Sequence, residues 1–133
     1  MAENNKNIET LVEELIKLTK EMKIQWRYTD NDMEVYKIQK KVFENFDMFA
    51  LASDNCFYTK IQNGYMLLIE EVGMAQPHKN YLIIVPSIDA KDIAIYDSPQ
   101  SQIIRLHSLI LKQFPTVEDY ITDVFNTFKK MST

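Results

Sequence analysis

The sequence predicts an α+β fold: an N-terminal helix, an antiparallel meander of about four to five strands, and two C-terminal helices packed on one face. Three observations carry this expectation. Apolar residues recur at helical spacing near both ends of the chain. Between those ends the period switches to two, and short polar links join the alternating runs, which favours antiparallel pairing. One link, Asn63-Gly64, is the strongest hairpin signal in the chain. A type I′ turn needs positive φ at both central residues, and Asn-Gly meets that demand at least steric cost.

The elements follow in order. Ile8, Leu11, Leu15, Leu18 and Met22 recur at alternating steps of three and four, widened by Val12 and Ile16, with Glu9, Glu13, Lys17 and Lys20 opposite. This spacing predicts an amphipathic helix over 7–22, with Asn7 as N-cap and a frayed polar lead-in before it. Ile24, Trp26 and Tyr28 then alternate with Gln25, Arg27 and Thr29 as a short strand, stopped by Asp30-Asn31-Asp32. Val35, Ile38, Val42, Phe46 and Phe49 fit a helical stripe, and Asn31 with Glu34 resembles a capping box. The favoured reading is a helix over 33–46; the competing one is a strand over 34–38 followed by an aromatic loop.

Hairpin strands are expected over 56–62 and 65–72. Their alternation puts Phe57, Thr59 and Ile61 on one face and Tyr58 and Lys60 on the other. Gly73 opens a polar connection. Tyr81 to Val85 is an almost unbroken apolar run, as in a strand buried on both faces, and Pro86 ends it. Ile93 to Tyr96 is the last strand. Ser98-Pro99 starts a helix, with Ser as N-cap and Pro in the first helical position. Its stripe is Ile103, Leu106, Ile110 and Phe114, and Pro115 closes it. Thr116 with Asp119 caps a further helix, whose stripe is Val117, Tyr120, Ile121, Val124, Phe125 and Phe128. Lys129 and Lys130 complement its dipole.

Bulk properties narrow the function classes. The 133 residues fit one domain, and 46% hydrophobic with 26% charged residues is a globular composition. A net charge of −4 argues against nucleic acid as a partner. Lys37, Lys40 and Lys41 read as a solvated helix face. The single cysteine, Cys56, excludes an intramolecular disulfide and fits a reducing compartment. With no signal-like segment and no apolar run near the ~20 residues of a membrane helix, the expectation is a cytoplasmic protein without a membrane partner.

Chemistry is sparse. Neither His78 nor His107 has metal-ligand spacing, and no Cys/His cluster exists, so no metal is expected. Gly64 and Gly73, the only glycines, are assigned to turns, which leaves no phosphate-cradling loop, and no cofactor is expected. Cys56 reads as a small core residue and His107 as a boundary residue bonded locally. Glu70-Glu71 and the Asp30/Asp32/Glu34 group are carboxylate clusters; the second lacks the glycine and the distal glutamate of a calcium loop and reads as a solvated turn.

What remains is aromatic. Tyr58, Tyr65, Tyr81 and Tyr96 all fall on expected strands, and Phe43, Phe46 and Phe49 cluster before the hairpin. These seven form the expected interaction surface, since tyrosine is apolar in body and polar at its tip. The preferred reading is a non-enzymatic binding or regulatory protein with a protein partner, self-associating as a homodimer. Two alternatives stand beside it: an enzyme with a dispersed site drawn from Cys56, His107 and Asp97, and a chaperone-like dimer holding a partner segment on its sheet.

The order of elements is similar to that of a loose group of small uncharacterised α+β proteins from low-GC bacteria and their mobile elements. The points of resemblance are Lys23-Ile24-Gln25-Trp26 after the first helix, Phe57-Tyr58-Thr59 to Asn63-Gly64-Tyr65, Tyr81-Leu82-Ile83-Ile84-Val85-Pro86, and Arg105-Leu106 with Leu109-Ile110. They spread over most of the chain and are patterns of fold. The resemblance implies an origin on a mobile element but no activity and no site residues.

Overall fold

Helix α1 spans Ala2–Lys20 and so begins before its expected cap: Asn7 is inside the helix. The computed structural model describes residues 2–43, 55–71, 79–89, 91–114 and 116–132, the side chains of residues 2–6 and 43 apart. The buried stripe of α1 is Ile8, Val12, Leu15, Ile16 and Thr19. Met22, expected in that stripe, is 71% exposed because the helix has already ended. The end is a Schellman motif: Lys23 N–H donates to Leu18 O (2.9 Å) and Met22 N–H to Thr19 O (3.1 Å). Met22 occupies its left-handed position with φ 60°.

Strand β1 is only Arg27–Tyr28. The residues before it, expected in the strand, bond through side chains instead. Trp26 Nε1 donates to Thr19 Oγ1 at 3.0 Å, and Thr59 Oγ1 donates to Gln25 O at 2.9 Å. A 3-10 turn at Thr29–Asn31 leads into helix α2, Met33–Phe43. Its cap is Asp32, not Asn31: Asp32 Oδ1 accepts from the N–H of Glu34 (2.9 Å) and of Val35 (3.1 Å). The rest of the expected helix, with Phe46 and Phe49, lies outside the described residues.

Strands β2 (Phe57–Ile61), β3 (Gly64–Glu71), β4 (Lys79–Val85) and β5 (Ala94–Tyr96) follow. With β1 they form one antiparallel five-stranded sheet in chain order. The hairpin is real, but its turn sits one residue earlier than expected. Ile61 pairs with Gly64, so the two loop residues are Gln62 and Asn63. Only Gln62 has positive φ, at 57°, so this is not a type I′ Asn-Gly turn. Gly64 is needed for space: a Cβ there would lie 2.7 Å from Val85 O and 2.9 Å from Pro86 O.

The alternation expected for β2 holds, and it sorts the sheet into two faces. Phe57, Leu68 and Leu82 face α1 and the later helix that carries Ile103, Leu106 and Ile110, and pack with these and with Ile8 and Leu15. Tyr65, Leu67, Ile69, Ile83 and Val85 point the other way, into a second cluster with Val35 and Val42 of α2. The tyrosine-bearing face, expected to be open, therefore carries a helix. Each fully buried aliphatic or aromatic side chain contributes on the order of 1.5–3 kcal/mol, so both clusters stabilise the sheet.

Helix α3 covers Gln100–Gln113 and α4 covers Val117–Met131. The start of α3 falls one position later than expected, with Pro99 as the N-cap residue and no side-chain cap. Gln100 works instead on the sheet. β5 pairs with β4 only over Leu82–Ile84, and beyond it the backbone of Asn80 meets the Gln100 amide. Asn80 N–H donates to Gln100 Oε1 (2.7 Å) and Gln100 Nε2 donates to Asn80 O (2.9 Å). One side chain thus stands in for a neighbouring strand.

Candidate functional site

The least expected feature of the molecule is the apolar face of α4. Its start is built as the sequence predicts: Asp119 N–H donates to Thr116 Oγ1 (3.1 Å) and Thr116 N–H donates to Asp119 Oδ2 (3.2 Å), a reciprocal capping box. Its stripe also forms as expected. None of its residues is buried, however. Val117 and Met131 are each 76% exposed, Tyr120 66%, Phe125 59%, Phe128 56% and Ile121 46%. Side-chain hydrogen bonds of Thr122, Thr127 and Ser132 run back to the helix's own carbonyls. The other side carries Glu118, Asp119 and Asp123 ahead of Lys129 and Lys130.

A contiguous apolar stripe left in water is a candidate surface for contact with a protein, a membrane or a ligand. The amphipathic pattern of α4 was legible in the sequence; its exposure was not. The same steps of four and three recur in α1 through Ile8, Val12, Leu15 and Thr19, all buried. Spacing alone thus does not separate a helix covered by its own fold from one left uncovered.

The expected aromatic surface is distributed differently. Tyr65 and Tyr81 are buried, and Tyr58 and Tyr96 are half-buried. Tyr58, Tyr65 and Tyr81 share the face of α2, whereas Tyr96 packs with the opposite cluster, so the four do not form one surface. Phe43 ends α2, while Phe46 and Phe49 lie outside the described residues. Tyr58 and Tyr65 do meet, with ring centroids 6.2 Å apart. They border an open groove of about 830 Å³ whose rim includes Lys23, Arg27, Asp32 and Lys60. The Lys60 ammonium lies 5.8 Å from the Tyr65 ring centre. Burial, then the nearby Asp32, pushes the Tyr58 phenol above its usual range.

Of the residues considered for a dispersed active site, Cys56 and His107 lie in opposite clusters of the sheet but both interact with Glu70, and Asp97 stands apart. Cys56 is fully buried in the α2-side cluster, and burial pushes its thiol up to about 11. It is thus a protonated core thiol at neutral pH, as its strand position suggested. His107 projects from α3 to the opposite face, against the Phe57 ring at 5.6 Å. Its Nε2 is 2.8 Å from Asn55 O and its Nδ1 3.6 Å from Glu70 Oε2. Glu70 is buried beside it. Asp97 pairs with Lys79 at 2.9 Å, and this bond raises the lysine's affinity for its proton. His78 lies outside the described residues.

Among the described residues no group of three or more His, Cys, Asp or Glu side chains could hold a metal, and no helix is long and apolar enough to cross a membrane. No family model matches the chain, and neither a curated protein nor a solved structure matches it.

Proposed function

We infer that this chain is a small protein-binding module that presents α4 to a protein partner and acts without catalysing a reaction. The observation that carries this reading is the uncovered apolar face of α4. Isolated helices shorter than about 12–15 residues are marginal in water, because tertiary packing of the apolar face supplies most helical stability. α4 has 15 residues and none of them buried. A partner that covers Ile121, Phe125 and Phe128 supplies the missing packing.

The charge pattern favours protein over membrane as that partner. Membrane-surface helices carry Lys and Arg along their polar face. Here that face has Glu118, Asp119 and Asp123 along its first half, which an anionic bilayer repels. The buried, protonated Cys56 and the internally bonded His107 support a binding rather than a chemical role. A reducing compartment, hence the cytoplasm, suits a chain with a single cysteine.

The test is photo-crosslinking in the native host. A benzophenone amino acid replaces Phe125 on the apolar face, or Asn126 on the polar one. Crosslinked protein adducts at position 125 and their absence at 126 are the expected result. Equal yields at both positions, or none at 125, reject the reading.

A further inference from the structure

We propose that the occupant of the α4 face is α4 of a second copy of this chain, packed antiparallel. This names the partner of the surface described above and rests on that reading.

Three observations lead to it. Val117, Ile121, Val124, Phe128 and Met131, of which Val124 is half-buried and the others exposed, follow steps of four and three, the seam of a two-helix coiled coil. Within this molecule the same steps on α1 are met by another helix. α1 packs along α3, with Glu13 Oε1 accepting from Arg105 Nη1 (3.1 Å) at one level and Gln113 Nε2 donating to Thr19 O (3.0 Å) at the next. A helix is therefore the occupant this chain already uses for such a stripe, whereas no residue of α4 is buried.

Charge sets the direction and the identity. The acidic residues of α4 lie in its first half and its lysines in the last turn. A parallel copy puts like charge beside like. An antiparallel copy centred on Val124 puts Glu118 level with Lys130 and Asp119 level with Lys129, and opposes the two helix dipoles. The helix is thus complementary to itself under a two-fold axis, which is the requirement of an isologous dimer. The charges lie beside the seam and on its outer side, so they act end against end over distances comparable with the screening length of about 8 Å. They select orientation, and the apolar seam supplies the attraction.

Sedimentation velocity on the full chain reads this directly. The wild type is expected to dimerise reversibly. Lys129→Glu with Lys130→Glu makes α4 acidic along its length, and Glu118→Lys with Asp123→Lys makes it basic at most of its charged positions; the cap residue Asp119 is kept in both. Each variant alone is expected to dimerise at least tenfold more weakly than the wild type, and an equimolar mixture to recover the dimer. Recovery in the mixture also shows that both variants fold. A wild type that stays monomeric up to about 1 mM, the weak end of measurable affinity, overturns the proposal. So do variants that dimerise unchanged, or a mixture that fails to recover. Crosslinks from position 125 to a different protein, with a monomeric wild type, reject the second copy and leave the docking surface standing. Absence of both crosslinks and dimer removes the two together.

Discussion

Helices α3 and α4 follow one another with only Phe114 to Thr116 between them, and both carry an apolar stripe, yet they end in opposite circumstances. On α3, Ile103, Leu106 and Ile110 are fully buried between α1 and the sheet. On α4 every residue of the stripe is at least partly in water. α3 also reaches outward with polar side chains, through Gln100 to Asn80, His107 to Asn55 and Gln113 to Thr19. The hydroxyls of α4 turn back on their own helix. An apolar stripe shows which face of a helix is suited to packing; it does not say whether that face is covered.

The sharpest way to break this contrast is to truncate both stripes. Leu106→Ala opens a cavity in the main core and is expected to lower unfolding free energy by about 2–5 kcal/mol. Phe128→Ala, at a concentration too low for association, is expected to stay within about 0.5 kcal/mol of the wild type. Denaturant titrations of the two variants check this. Comparable losses would mean that α4 is part of the core.

A smaller effect tests the polar ties of α3. Gln100→Ala leaves the N–H and C=O of Asn80 without the side chain that pairs them. A buried backbone group left unsatisfied costs about 1–3 kcal/mol. The same titration is expected to show a loss in that range. Thr127→Ala, whose hydroxyl meets only Asp123 O, is expected to cost much less. A silent Gln100→Ala would show that water replaces the amide at no loss.

Most of this architecture was legible in the sequence, since the period of apolar residues sorts helix from strand wherever a face is buried. The strand runs Phe57–Ile61 and Lys79–Val85 and the Thr116/Asp119 cap stand close to where patterning puts them. Two of the misreadings have local physical causes. Asp32 takes the cap amides that Asn31 could have held. Gly64 is drawn into β3 because only a residue without Cβ fits against Val85 O, which moves the turn onto Gln62-Asn63. The candidate surface was less legible. Strand tyrosines look outward until it is known that α2 crosses their face, and that depends on contacts far apart in sequence.

The buried side of the comparison carries a pH signature in Cys56. Burial raises the Cys56 thiol from 9.0 to about 11 in the folded chain, so the native state favours the protonated form. That preference contributes fully below pH 9.0 and is lost as pH rises towards 11. Between those limits the stability of the wild type is expected to fall faster than that of Cys56→Ala by up to about 1.4 kcal/mol per pH unit. The difference between the two slopes isolates the thiol from the tyrosines and lysines that titrate nearby. Parallel slopes would mean that the thiol has access to water.

The smallest effect on global stability is expected from the cap of α4, and it sharpens the contrast most. Thr116→Ala removes one partner of the capping box and weakens its helix by about 1 kcal/mol. If α4 opens on its own, that loss appears in local opening alone. Hydrogen exchange of the α4 amides then speeds up roughly fivefold, while the α3 amides and the denaturation midpoint of the dilute chain stay where they were. When a partner covers Ile121, Phe125 and Phe128, α4 opens only if that contact also breaks. Adding the partner, or raising the concentration of the chain itself if the partner is a second copy, then slows exchange over α4 first. A midpoint that falls by the full cost of the lost cap would instead make α3 and α4 one cooperative unit, and the difference between them would be one of exposure only.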